Sequence, residues 1–249
     1  MVDAPFMLCA GEALTDMIHQ GREQWVSRVG GSTWNVARAL AVLGEPNAFA
    51  GAISRDRFGD TMWQASPAVD LRLLQRVGRA PLLAMVEQGE PPRYFFIGDD
   101  SADLHFDPAT LPAGWADGLR WAHFSGISLA ISYDPNYRNL MDARYTPTLE
   151  AMASLADLIK VSDDDLRGLF PGLGLDHALA PRVAVVDTAG AGGASAAGLL
   201  HSLARHPDRP LQAHLHAALA AGCAACLQAG AIPPPPAAAR RHASIVLTV

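Results

Sequence analysis

Cysteine is scarce in this 249-residue sequence: Cys9, Cys223 and Cys226 are the only three. So sparse and odd a set excludes a disulfide framework and fits a reducing compartment. Cys223 and Cys226 form a C-x-x-C, but no second Cys or His pair accompanies it at zinc-like spacing, and the alanine-rich run around it reads as a buried helix. Basic tracts are missing too. The chain has 19 Lys plus Arg against 25 Asp plus Glu, a net charge of −6, which argues against nucleic acid or an anionic membrane as the main partner. No positively charged segment followed by an apolar one opens the sequence, so a cytoplasmic location is expected. The longest uncharged stretch, Leu211 to Ala239, carries His214, His216, Gln212, Gln228 and the prolines Pro233 to Pro236. It is alanine-rich rather than leucine-rich and reads as a core helix, not a membrane span. What remains is a chain half hydrophobic and 18% charged, long enough to bury a core and suited to a small substrate.

The apolar pattern alternates between two periods. Met7 to Ala10 is a short strand; after Gly30-Gly31, Ser32 is the expected N-cap of a helix with Val36, Ala39, Leu40 and Leu43 at helical spacing, closed by Gly44. Asn47 to Ala52 reads as a buried strand and Phe58 to Ala65 as a helix. Leu82 to Glu87 and Arg93 to Ile97 read as two strands joined by Gly89-Glu90-Pro91-Pro92. Strands at Trp121 to Ser125, Ile131 to Tyr133, Leu158 to Val161 and Val183 to Val186 alternate with helices at Thr148 to Ala156 and Ala194 to Leu203, which predicts an α/β sheet with helices on its faces. One connection is awkward. If the strands on either side of Gly126 to Ala130 are parallel neighbours, they need a crossover of roughly a dozen residues, and that segment is far too short.

The strongest chemical signal is Val186-Asp187-Thr188-Ala189-Gly190-Ala191-Gly192-Gly193-Ala194-Ser195, a strand passing through a glycine-rich turn into a helix. Glycines permit the tight turn, and free amides at the helix start make an anion site, although a plain packing turn has the same pattern. Asp16 reads either as a surface or capping carboxylate or as a ligand group; Asn35, one turn into an apolar helix, is unfavourable there by propensity and points to ligand binding. Asp163 to Asp165 reads as a solvated first helical turn or as part of a metal site.

Gly30-Gly31-Ser32-Thr33-Trp34-Asn35-Val36-Ala37, with Gly11-Glu12-Ala13-Leu14-Thr15-Asp16 before it and Asp56-Arg57-Phe58-Gly59-Asp60 after it, resembles the ribokinase-like (PfkB) carbohydrate kinases. Arg93-Tyr94-Phe95-Phe96, Phe124-Ser125-Gly126-Ile127, Asp134-Pro135-Asn136-Tyr137-Arg138, Lys160 to Asp165 and the Asp187 turn follow in the family's order, and the set is most similar to bacterial fructokinases. The resemblance implies an α/β fold, a ribokinase-like Rossmann-type sandwich whose central mostly parallel sheet is flanked by helices. It implies one domain over residues 1–249, with segments of a small β lid near 12–30 and 82–98 and a homodimer formed through that lid. The implied reaction moves the γ-phosphoryl of ATP to a sugar hydroxyl.

In that reading Asp16, Gly30, Gly31 and Asn35 bind sugar hydroxyls, Arg93 closes over the sugar, and Asn136 and Arg138 lie towards the phosphates. Lys160 falls on the cofactor side with Asp187 and Thr188, which match a monovalent-cation (K+) loop, and Asp165 matches the acidic residue that acts on Mg2+ through water. The amides of Gly190, Ala191, Gly192 and Gly193 would hold the charge on the transferred phosphoryl. Two departures stand out. The family's turn ends in an Asp that takes the sugar's proton, whereas this chain has Gly193, so transfer is expected to be severely weakened. A catalytically inactive sugar-binding or regulatory protein of the same fold is the alternative. The crossover helix after Gly126 and the strand and hairpin before Asp187 are also missing, and the strand-like Ser244 to Thr248 is a candidate to replace the lost edge.

Overall fold

The structure is a computed structural model that describes residues 7–87, 93–125, 132–134, 158–159, 190–228 and 231–235, with positions 147, 150, 151 and 154 between them. Side chains alternate between the two faces along its central strands. In β1 (Met7–Gly11), Met7 and Cys9 face one side of the sheet with Phe49 and Ile53 of β4 (Asn47–Ser54), whereas Leu8 faces the other with Ala48 and Ala50. Every residue of β4 is buried, as a strand inside a parallel sheet covered on both faces requires. Cys9 is part of that packing, and burial pushes its thiol far above the ordinary range, so it stays protonated and inert.

β1 pairs in parallel with β4 and with β8 (Trp121–Ser125), and β4 pairs in parallel with β5 (Leu74–Val77). β9 (Ser132–Asp134) and β10 (Leu158–Ile159) extend the sheet, which has the order β10-β9-β8-β1-β4-β5. β8 and β9 are therefore parallel neighbours although residues 126–131 alone separate them, and those residues lie outside the described set. The strands expected at Val183 to Val186 and Ser244 to Thr248 also lie outside it. A second sheet carries β2 (Leu14–His19), β3 (Trp25–Gly30), β6 (Leu83–Glu87) and β7 (Arg93–Ile97) in the order β3-β2-β6-β7. β6 and β7 form the antiparallel pair that their sequence predicts.

Helix α1 (Ser32–Val42) buries Thr33, Trp34, Val36, Ala37, Ala39 and Leu40 against the large sheet, with the Trp34 ring edge-on to Phe49 at 4.6 Å and 87°. Full burial of a large apolar side chain such as Val36 or Leu40 contributes about 1.5–3 kcal/mol. Gly44 closes the helix at φ 80°, as its position predicts. α2 (Arg57–Gln64) is capped by its own Asp56, whose carboxylate accepts from the amides of Phe58 at 2.9 Å and Gly59 at 3.2 Å.

Helix α3 (Ala191–Arg205) lies in the same core as α1, through Ala196, Ala197 and Leu200. Its partner α4 (Leu211–Ala225) approaches it so closely that a Cβ on Gly198 would come within 2.8 Å of the Ala217 carbonyl oxygen and the Ala221 Cβ. At Gly222 a Cβ would run into the Ser195 hydroxyl. No helix among the described residues is long and apolar enough to cross a membrane.

α1 and α3 run in the same direction, because they touch at both ends in the same order. At the start, a Cβ on Gly193 would lie 3.1 Å from the Asn35 Cβ. At the finish, the fully buried carboxylate of Glu45, just past α1, accepts from Arg205 Nε at 2.6 Å and Nη2 at 3.0 Å, with His201 Nδ1 at 2.6 Å. This pairing holds the Arg205 guanidinium above its usual range.

Candidate active site

Gly31, not Ser32, is the N-cap of α1. Its φ of 107° and ψ of 131° belong to glycine alone, and a Cβ there would meet the Glu12 carbonyl oxygen at 2.7 Å. A glycine has no side chain to cap with. The connection between β1 and β2 supplies the missing group: the Ser32 amide donates to Glu12 Oε1 at 3.0 Å. Beside it, Gly30 makes room for the Asp16 carboxylate, which occupies the space that a Cβ would fill. Asp16 and Gly30 sit diagonally on the β2–β3 pair, where Leu14 opposes Gly30 and Asp16 opposes Arg28.

One turn into α1, Asn35 has its Oδ1 wholly buried with no hydrogen-bond partner among the described residues. A buried acceptor left unmade costs about 1–3 kcal/mol. Gly193 lies directly against this residue.

Gly190 caps α3 in the left-handed conformation at φ 77°, with no side-chain hydrogen bond and no acidic residue in the first turn. Its carbonyl accepts from the Ala194 amide at 2.9 Å, which starts the helical ladder and leaves the amides of Ala191, Gly192 and Gly193 without an intrahelical acceptor. Behind the turn, Ala231 packs so closely that its Cα would lie 2.9 Å from a Cβ on Gly190. The Ala231 carbonyl accepts from Arg38 Nη1 at 3.2 Å, and burial depresses the Arg38 pKa without removing its charge at neutral pH.

The structure thus brings Asp16, Gly30, Gly31 and Asn35 to one end of α1 and sets Gly190 to Gly193 beside them. Arg93 is placed differently. It is exposed at the start of the edge strand β7 opposite Glu87, whereas the residue in register with Asp16 across β6 is Phe96. Arg93 and Phe96 are three positions apart along β7, about 10 Å. Asn136, Arg138, Lys160, Asp165, Asp187 and Thr188 lie outside the described residues. Glu12 and Arg38 are contributors that residue-by-residue reading misses. Glu12 sits within the quoted Gly11 to Asp16 motif, and Arg38 follows Asn35 by three positions, nearly one helical turn.

The family profile described as "pfkB family carbohydrate kinase" matches residues 174–238, a span that holds the glycine-rich turn, α3 and α4. Over 79% of its length the chain is 30% identical to the fructokinase of Rhizobium leguminosarum bv. trifolii, covering 79% of that protein. The chain belongs to the pfkB family of carbohydrate kinases. Within that family it is similar to bacterial fructokinases. The fold agrees. A structure of Xylella fastidiosa fructokinase with bound ATP superposes with a TM-score of 0.84 at 23% identity, over 96% of this chain and 98% of that one. Fructokinase from Vibrio cholerae O395 in a form bound to fructose, ADP and calcium ion gives 0.81 at 25% identity, over 95% and 98%. The glycine-rich turn of this chain carries no carboxylate at position 193.

Proposed function

We propose that this protein binds a fructose-like sugar and ATP, and that it carries out fructokinase-type phosphoryl transfer at a rate severely limited by Gly193. The observation that carries the reading is the contact between Asn35 and Gly193, which sets a hydroxyl-binding group against an anion-binding turn. The acceptor groups come from Asp16, whose carboxylate can receive a sugar hydroxyl, and from the Oδ1 of Asn35, which has no hydrogen-bond partner among the described residues. The donors come from the amides of Ala191, Gly192 and Gly193, which fit the oxygens of a phosphoryl group and would hold the charge that develops on it. The small sheet of β2, β3, β6 and β7 would act as the lid, with Phe96 in the row that contains Asp16. Bound Mg2+ would neutralise charge between the phosphates, and Asp165 would act on it. Asp187 and Thr188 would line a K+ site, with Asn136, Arg138 and Lys160 towards the nucleotide.

What the turn does not provide is a base. The glycine at 193 has no group to accept the proton of the attacking hydroxyl, and general-base catalysis is worth about 10²–10⁴-fold. The same feature supports a second reading, a sugar-binding or regulatory protein with no useful turnover. ADP release with fructose, ATP and Mg2+, measured on the chain and on Gly193→Asp, tests both. A gain of about 10²–10⁴-fold in the variant is expected; the Asn35 side chain must yield by a few tenths of an ångström to admit the new Cβ. If neither protein turns over and neither binds ATP, the kinase reading falls.

A further inference from the structure

We propose that Cys223 and Cys226 form a redox site: a small disulfide such as glutathione disulfide oxidises the pair to an intramolecular disulfide, and that bond loosens the backing of the glycine-rich turn. The inference goes beyond the reading above, which uses neither cysteine.

Its first support is the placement of the two sulfurs. Both are thiols in the structure. They stand three positions apart, one in the last turn of α4 and one at its C-cap, so they share a helix face, with Cα atoms about 5 Å apart by helix geometry and within the span of a disulfide. Their Cβ atoms, about 5–6 Å apart at this spacing, must draw closer, because a disulfide holds them at about 3.5–4.5 Å. The chain can yield there. The Cys226 amide bonds the Gly222 carbonyl at 3.2 Å, and the Gln228 amide turns to the tighter i−3 acceptor, Ala225, at 3.1 Å. A bond closed under such strain is readily reduced again.

The two thiols are also unequal. Cys223 is buried, whereas Cys226 is partly exposed. Burial, and then the charge of Cys226 beside it, push the Cys223 thiol above its ordinary value. Cys226 is therefore the attacking group. Its thiolate breaks the S–S bond of glutathione disulfide, expels one glutathione thiolate and is left as an uncharged mixed disulfide. Cys223 then gives up its proton and attacks the Cys226 sulfur, expelling the second glutathione. The protein thiols lose two protons and two electrons, and both glutathione sulfurs leave as thiols.

The second support is what this end of α4 holds in place. Gly222, next to Cys223, packs on the first turn of α3: a Cβ there would run into the Ser195 hydroxyl and lie 3.3 Å from the Ala191 carbonyl oxygen. Five positions beyond Cys226, Ala231 packs on Gly190 and accepts from Arg38 at 3.2 Å. The pair is thus bracketed by contacts that back the glycine-rich turn, and drawing Cys226 towards Cys223 pulls on both.

The test incubates the intact chain with glutathione disulfide and, in parallel, with reduced glutathione, then reads peptide masses without reduction and amide hydrogen exchange over residues 190–200. The oxidised peptide that carries both cysteines should be lighter by two hydrogens and bear no glutathione, while the fully buried Cys9 stays a thiol. Exchange over the turn should rise several-fold and return on reduction. Cys223→Ala should stop at a glutathione adduct on Cys226; Cys226→Ala should take up none and keep slow exchange. Thiols left unoxidised, glutathione retained on Cys226 of the unaltered chain, or a disulfide between chains overturns the proposal, and so does a closed bond that leaves exchange over the turn unchanged. Where the reduced chain binds ATP, closing the bond should weaken that binding several-fold. A reduced chain that does not bind ATP overturns the nucleotide reading alone, because masses and exchange are read without nucleotide.

Discussion

Two helix starts meet where Asn35 touches Gly193, and the chain furnishes them in opposite ways. The start of α1 receives a carboxylate from another element, Glu12, and has Asp16 alongside; among the described residues the start of α3 receives none. A third helix shows that this is not for want of means. α2 is capped by its own Asp56, which the Ser54 hydroxyl in turn holds at 2.6 Å. Where a helix end has only to be stable, the chain spends a side chain on it. At α1 and α3 the cap is a glycine; in the proposed reading the carboxylates near α1 would serve hydroxyl recognition and the bare first turn of α3 would take an anion.

Exchanging the two glycine caps for alanine should break this pairing most severely, and unequally. Gly31→Ala forces a side chain into a backbone conformation restricted to glycine and against the Glu12 carbonyl, so a loss of about 2–6 kcal/mol in urea unfolding is expected, together with loss of sugar binding. Gly190→Ala asks for a left-handed residue that L side chains tolerate at a cost, and it presses on Ala231. About 1–3 kcal/mol is expected there, with weaker nucleotide binding and unchanged sugar binding. Equal effects of the two on both ligands would dissolve the distinction.

Glu45→Ala acts on the far ends of the same helices. It strips Arg205 and His201 of a buried acceptor, which should cost about 1–3 kcal/mol in the same unfolding experiment without altering the ratio of sugar to nucleotide affinity. A changed ratio would mean that the starts of α1 and α3 are set by their ends. Glu12→Gln is the gentlest probe. The hydrogen bond to Ser32 can persist while the charge is lost, so about 0.3–1 kcal/mol is expected, and the difference from the unaltered chain should shrink when melts are repeated at high salt.

Much of this architecture is legible from local pattern. The strands around Cys9 and Phe49, the β6–β7 pair and the helix closed by Gly44 each follow from a run of apolar residues bounded by turn chemistry. The errors come where a distant residue decides. Ser32 has every local attribute of an N-cap, yet Glu12, twenty positions earlier, takes its amide. Nothing local to Glu45 marks it for burial; its partner Arg205 lies 160 positions later. Strand register, which cannot be read along one strand, places Phe96 opposite Ala84 and so in line with Asp16.

The glycine contacts between α3 and α4 give the molecule a lever remote from its ligands. At Gly198 the two helices are separated by less than a methyl group allows, so their spacing there is set by the absence of atoms rather than by interlocking side chains, whereas at Gly222 a turn of the Ser195 hydroxyl could make room. A substitution as slight as alanine at Gly198 would push α3 away from α4, and α3 carries the glycine-rich turn at its head. In a lineage of such proteins, drift at this one buried site would retune the turn while every residue that touches the ligand stayed the same.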